Sequence, residues 1–115
     1  MRKTKNISNA LASFEGAAIK HAEATRQGDY KTGNKCYSTI VKTVNFLKEQ
    51  NEIAALLGFL NHSSAGVRSW AATYLLPVSE KEAIKTLEEL IKRTDIHSLD
   101  AETTLSEWRK GNLKL

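Results

Sequence analysis

The chain is poor in the residues and segments that disulfide-stapled, secreted and membrane-spanning proteins use. It has a single cysteine, Cys36, so no disulfide can form within the chain, which fits a reducing compartment. No stretch approaches the roughly 20 apolar residues that cross a bilayer. The basic start MRKTK is not followed by the apolar segment of a secretory signal. These absences predict a cytoplasmic protein with no membrane partner.

The patterns of catalytic and metal centres are also missing. The three histidines, His21, His62 and His97, fall in three different segments, and neither His-Glu-x-x-His nor Cys-x-x-Cys occurs. The six glycines are scattered and form no phosphate-binding loop. Acidic residues such as Glu88 and Glu89 lie three or four positions from lysines, as in ion pairing along a helix surface. The sequence therefore predicts no enzymatic activity, no metal and no cofactor.

What the chain does contain is typical of one globular domain. Its 115 residues are 41% hydrophobic and 26% charged, which favours a folded chain over a disordered one. A chain of this length buries enough surface to be stable without a disulfide or a metal. No linker is long enough to separate two domains, so we expect a single domain over residues 1–115.

Apolar residues recur three or four positions apart along almost the whole chain, which is the spacing of amphipathic helices. The first such segment ends at Gly28, a residue that suits the left-handed position after a helix, and Asp29 is a candidate N-cap for the second. Pro77 predicts the end of a later helix at Leu76. We expect an all-α fold of about six helices, with short turns that make neighbours antiparallel.

The same patterns predict several local details. In the second segment the spacing places Tyr30 and Tyr37 on the inward face, and Gly33 suggests a close approach of the first helix. Ser79 and Glu82 match a capping box at the start of a helix. Ser98 is a candidate N-cap for the last helix.

One stretch resembles a known repeat. Residues 56–76, LLGFLNHSSAGVRSWAATYLL, place leucines on a first helix, then a polar turn, then Val67, Arg68 and the pair Ala71 and Ala72 on a second. This order is similar to one HEAT repeat. In HEAT repeats the arginine commonly lies beside an acidic residue of the turn, whereas residues 61–64 here contain no carboxylate.

A second stretch extends the resemblance. Residues 100–113, DAETTLSEWRKGNL, look like the end of a small bacterial domain family of unknown function, the one numbered twenty-nineteen. Members of that family are similar to the chain over nearly its whole length. The resemblance implies a short right-handed solenoid of the HEAT and armadillo type. It implies no activity.

HEAT-like folds mainly bind other macromolecules, so the resemblance favours a non-enzymatic protein-protein interaction module. The candidate partner-binding residues are His62, expected to be exposed in the turn, Arg68 and Trp70. Trp70 and Trp108 each fit either the core or an aromatic anchor on a binding surface. The finer hypothesis is a bacterial immunity protein that neutralises a toxin domain, and a pI near 9.3 would suit an acidic toxin.

The distribution of charge supports an alternative function. Residues 1–50 contain nine Lys or Arg against four Asp or Glu, whereas residues 51–115 contain eight against nine. A basic surface attracts phosphates, so the alternative is nucleic-acid binding through the basic N-terminal half. The candidate residues are Lys20, Arg26, Lys31, Lys35, Lys42 and Lys48. Because they are spread along the segment, a solvated face that keeps the protein soluble is the plainer explanation.

Overall fold

The computed structural model describes the backbone of residues 2–115 and the side chains from Ile7 onward. Within those residues the chain forms six helices and no strand, so the predicted all-α class is confirmed. The helices are α1 (Arg2–Gln27), α2 (Tyr30–Glu49), a 3-10 helix (Ile53–Phe59), α3 (Ala65–Leu75), α4 (Glu80–Ile91) and α5 (Ile96–Arg109). Of the described helices, none combines the length and the apolar character needed to span a bilayer.

The chain divides into two compact units. The first ends at Ala55 and the second covers Leu56–Leu115. The single domain over 1–115 and the right-handed solenoid both stay predictions.

The first unit is a hairpin of α1 and α2. Gly28 follows α1 with a φ of +70°, a left-handed conformation that glycine adopts without a Cβ clash. The carboxylate of Asp29 then accepts a hydrogen bond from the backbone N–H of Thr32 at 3.1 Å and caps α2. The predicted end of the first helix and the predicted cap of the second are both confirmed.

The packed face of this hairpin follows the helical spacing. Phe14 and Ala18 of α1 are fully buried, as are Ile40 and Leu47 of α2. Burial of these side chains supplies most of the favourable free energy of the hairpin, about 1.5–3 kcal/mol for each large one.

Two tyrosines of α2 do not lie where the spacing placed them. Tyr30 is 83% exposed and Tyr37 is 49% exposed, so their predicted inward orientation is wrong. The buried stripe of α2 passes through Cys36 and Ile40 instead. Tyr37 follows Cys36 directly, and one residue rotates the side-chain direction by about 100°. The apolar spacing fitted two adjacent stripes, and the structure uses only one of them.

In the second unit, α3 begins earlier than the apolar pattern suggests. Ser64 caps it, because its Oγ accepts a hydrogen bond from the backbone N–H of Val67 at 3.3 Å. The helix therefore starts at Ala65, two residues before Val67. It ends at Leu75, two residues before Pro77, which agrees with the predicted stop.

The α4–α5 pair is antiparallel and is joined by side-chain hydrogen bonds at both ends. Near the end of α5, Trp108 Nε1 donates to Glu80 Oε2 at the start of α4, over 2.7 Å. At the opposite end, Ser98 Oγ donates to the carbonyl oxygen of Ile91 over 2.6 Å. Trp108 is half-buried, and its indole N–H is paired.

Two predicted helix caps are wrong. Ser79 occupies the N-cap position of α4, but its side chain makes no capping hydrogen bond, so the capping box with Glu82 does not form. The N-cap of α5 is Asp95 and not Ser98: the Asp95 carboxylate accepts a hydrogen bond from the backbone N–H two residues later, at 3.1 Å. The Ser98 hydroxyl is already used by the carbonyl of Ile91.

Alanine should have opposite effects at two of the three glycines in the α1–α2 hairpin, Gly28 and Gly33. Gly28→Ala places a Cβ at a φ of +70°, which should cost about 1–2 kcal/mol of stability. At Gly33 an added Cβ would lie 4.0 Å from the Cβ of Ala24, an ordinary contact, so Gly33→Ala should stabilise by up to about 1 kcal/mol. Urea denaturation of both variants checks this. A loss of stability in Gly33→Ala would show that the helices approach more closely there than the geometry indicates.

The cap of α5 predicts a pH dependence. Arg93 donates hydrogen bonds to both carboxylate oxygens of Asp95, the shortest over 2.6 Å, and this hydrogen bonding holds the pKa of Asp95 below its ordinary value. A lowered pKa in the folded state means that the ionised carboxylate stabilises the protein above the ordinary aspartate pKa of about 3.9. That contribution is lost as the pH falls through the lowered value.

We therefore expect Asp95→Asn, which keeps a capping side chain but loses the charge, to be less stable than the wild type at neutral pH. The pair is exposed, so the difference should stay below about 1 kcal/mol. It should shrink as the pH falls from about 5 to about 2. Thermal unfolding across that range measures it, with Glu102→Gln on the same helix as the control. A difference that stays constant with pH would contradict the role of the Asp95 charge.

Candidate functional site

An open groove runs between α1 and α2 along one face of the hairpin. The section nearer the α1–α2 turn has a volume of about 490 Å³ and is lined by Ser13, Gly16, Ala17, Lys20, Thr32, Lys35, Cys36 and Thr39. The section farther from the turn has a volume of about 350 Å³ and is lined by Asn9, Ala10, Ser13, Lys42, Thr43 and Phe46. Because Ser13 lines both sections, we treat them as one groove.

The floor of the groove consists of small side chains. Ala10, Ser13, Gly16 and Ala17 follow the three-and-four spacing of one face of α1, and Cys36 lies opposite them on α2. The Cys36 thiol is buried. An added Cβ at Gly16 would meet no atom within 4 Å. The floor therefore leaves space that the hairpin itself does not fill.

Three exposed lysines line the groove. Lys20 comes from α1, and Lys35 and Lys42 come from α2. Lys35 and Lys42 are seven residues apart, which is two turns or about 10.5 Å along the helix. Within the described part of the chain, none of the three side chains makes a hydrogen bond or an ion pair. Their charges are therefore available to a binding partner.

The structure brings together only half of the basic residues proposed for nucleic-acid binding. Arg26, Lys31 and Lys48 do not line the groove. Lys31 precedes Lys35 by one turn of α2 but lies outside the groove lining. Of the six basic residues proposed for nucleic-acid binding, three therefore line the groove and three lie elsewhere on the hairpin.

His62, the first of the proposed partner-binding residues, has a structural contact. It is half-buried, so the expectation that it is exposed is wrong. Its Nδ1 accepts a hydrogen bond from the backbone N–H of Ser64 at 2.9 Å, and its ring meets Phe59 edge-on at 6.1 Å. The imidazole thereby holds the turn that leads into α3.

The other two proposed residues lie on α3 and point to different sides. Trp70 is half-buried and stacks on Tyr74, with ring centroids 6.1 Å apart and planes at 15°. Arg68 is two residues earlier, about 200° around the helix from Trp70. The Arg68 Nε is buried and has no hydrogen-bond partner among the described residues. Their role in binding a partner stays a prediction.

The described residues hold no cluster of three or more His, Cys, Asp or Glu side chains that could bind a metal ion. The groove is not predicted from the sequence, because the excess of basic residues over 1–50 does not show which lysines lie together in the fold. The sequence does contain one pattern that could have indicated the groove. Small residues recur three and four positions apart on α1, at Ala10, Ser13 and Ala17, and the neighbouring helix carries lysines.

Comparison with known proteins supports the fold. No protein-family model and no curated protein matches the chain. The chain is similar to the crystal structure of the protein RPA1889 from Rhodopseudomonas palustris, with a TM-score of 0.87 and 20% sequence identity. The match covers 95% of this chain and 93% of the other. At that identity the similarity establishes the all-α fold alone. The resemblance to the family numbered twenty-nineteen stays a prediction.

The contact of His62 predicts an effect on stability. His62→Ala removes the acceptor of the Ser64 N–H at the start of α3, which should cost roughly 1 kcal/mol. Urea denaturation measures the loss. His97→Ala is the control, since the imidazole of this half-buried histidine makes no hydrogen bond to another described residue. Equal stability of the two variants would mean that the His62 bond does not hold the turn in solution.

Proposed function

We propose that this chain is a non-enzymatic protein-interaction module and that the α1–α2 groove is its binding surface. The observation that supports the proposal is the combination of an open floor of small side chains with three lysines that have no partner among the described residues. Protein interfaces join a desolvated apolar centre to a polar rim, and the groove offers both. Small floor residues such as Ala17 and Gly16 let a partner's side chains approach the helix backbones.

The finer proposal is an immunity protein of a bacterial cytoplasm that neutralises a toxin domain. The charge of the groove supports a partner with an acidic surface, since Lys20, Lys35 and Lys42 attract carboxylates and speed association. A toxin domain whose own functional surface is acidic fits this proposal better than a basic nuclease.

Nucleic-acid binding is the second candidate, supported by the convergence of the same three lysines on one groove. Three phosphate contacts predict that the logarithm of the affinity falls by about 2.7 per tenfold increase in salt. A protein partner that also packs on the groove floor would show a weaker dependence.

Affinity capture with matched variants tests the proposal. The bait is the wild type, the groove variant Lys35→Gln/Lys42→Gln, or the control Lys85→Gln/Lys92→Gln. The control pair is also exposed, also seven residues apart, and also removes two positive charges. The candidate partner is the product of the gene next to the one that encodes this chain, expressed together with each bait and treated with nuclease.

We expect the wild type and the control to retain the same protein and the groove variant to lose it. Retention of that protein by all three baits would exclude the groove as the binding surface. Material that nuclease removes from the wild type would favour the nucleic-acid candidate instead. Thermal unfolding of the three baits shows that each is folded.

A further inference from the structure

We infer that the α1–α2 groove binds an amphipathic α-helix whose apolar face is bordered by acidic residues, supplied by another protein. This inference rests on the proposed function, because it assumes that the groove is the binding surface. It adds the chemistry and the conformation of the segment that the groove recognises.

The shape of the groove favours a helical occupant. Its walls are two antiparallel helices, and on α1 the lining extends from Asn9 to Lys20, about 16.5 Å or three turns. A third helix lying along this pair would sit 8–10 Å from each axis, roughly the usual helix-packing distance. A peptide that binds by adding a β-strand needs a sheet edge to pair with, and the described residues form no strand.

The floor favours large apolar side chains on that helix. Ala10, Ala17 and Cys36 are small, buried side chains. A Cβ added at Gly16 would meet no atom within 4 Å, so the groove has free space there. Side chains such as leucine, spaced three and four residues apart on the occupant, would fill this space in the helix-in-groove mode. Phe46 provides an aromatic contact in the section farther from the α1–α2 turn.

The positions of the lysines favour acidic borders. Lys35 and Lys42 are two turns apart on one wall, so they match two carboxylates seven residues apart on a helix lying alongside α2. Lys20 lies on the opposite wall and matches a carboxylate on the other border of the apolar face. A carboxylate bound there would be partly shielded from water, which strengthens its attraction to the ammonium group.

The same observations disfavour two other occupants. A second copy of this chain paired through the groove by two-fold symmetry would bring the lysines of both copies together, and the chain has a net charge of +4. A nucleic-acid backbone would contact the lysines but would leave the apolar floor uncovered. An amphipathic helix with acidic borders would cover the apolar floor and also pair with the lysines.

The test uses a synthetic peptide and the full chain. The probe is a fluorescent peptide of about 18 residues, long enough for measurable helicity, with leucines on one face and glutamates along both borders. Two control peptides replace the glutamates with lysines or scramble the order at the same composition. Fluorescence anisotropy measures the affinity of each peptide and of a random-sequence DNA duplex.

Two pairs of variants separate the contributions of charge and shape. Lys35→Gln/Lys42→Gln should weaken binding of the acidic peptide at least tenfold, and Lys85→Gln/Lys92→Gln should leave it unchanged. Gly16→Leu adds a bulky side chain to the groove at a position where the new Cβ meets no atom within 4 Å, and it should also weaken binding at least tenfold. Ala12→Leu adds a large side chain to the exposed surface of the same helix outside the groove and should have no effect.

Several outcomes would overturn the inference. Equal binding of the acidic, basic and scrambled peptides would remove the requirement for an acidic amphipathic helix. Unchanged binding to folded Gly16→Leu would place the peptide elsewhere on the molecule. Tighter binding of the DNA duplex than of the acidic peptide would identify phosphate as the ligand chemistry.

Failure of this inference can be distinguished from failure of the proposed function. If the acidic helix does not bind but a captured protein still depends on Lys35 and Lys42, the groove recognises a protein segment of different chemistry. The inference is then wrong and the proposed function remains supported. If neither the peptide nor a captured protein depends on the groove, both are wrong.

Discussion

The groove depends on the reversal between α1 and α2, which is only two residues long. Gly28 permits the left-handed step, and Asp29 completes it: its N–H donates to the carbonyl of Ala24 over 2.9 Å, and its carboxylate caps α2. A reversal this short fixes the register of the two helices. One inserted residue would rotate α2 by about 100° relative to α1 and move Lys35 and Lys42 away from the groove. The turn chemistry thus sets the position of the candidate binding charges.

Polar side chains of the second unit have a different use from those of the groove. The imidazole of His62, the indole of Trp108 and the hydroxyl of Ser98 each form a hydrogen bond that holds a turn or joins two helices. Because these groups are engaged, they are poorly placed to gain new bonds from a ligand without losing existing ones. Within the part of the chain that the structure describes, Lys35 and Lys42 have no such bonds to lose. This contrast locates the candidate site in the first unit, although sequence reasoning favoured the HEAT-like turn.

Features set by local backbone chemistry were predictable from the sequence. Gly28, Asp29 and Pro77 act within a few residues of their own positions, so the helix ends near them were predicted correctly. The predicted caps at Ser79 and Ser98 do not form. A hydroxyl can bond to any acceptor that the tertiary structure brings near it, and this explains the result at Ser98. For Ser98 that acceptor is a carbonyl seven residues earlier in the chain, at the end of another helix. No spacing rule within a single helix contains this information.

The groove was harder to predict than the helices that form it, because a groove is defined by what two helices leave uncovered. The charge pattern nevertheless contains a trace of it. Lys35 and Lys42 have no acidic residue three or four positions away, whereas Lys85 of α4 has three, Glu82, Glu88 and Glu89. Charges without intrahelical compensation cost little while they are exposed to water. If a partner's carboxylate pairs with such a lysine and the surrounding surface is desolvated, the pair contributes to the free energy of binding. It contributes nothing to the stability of the isolated hairpin.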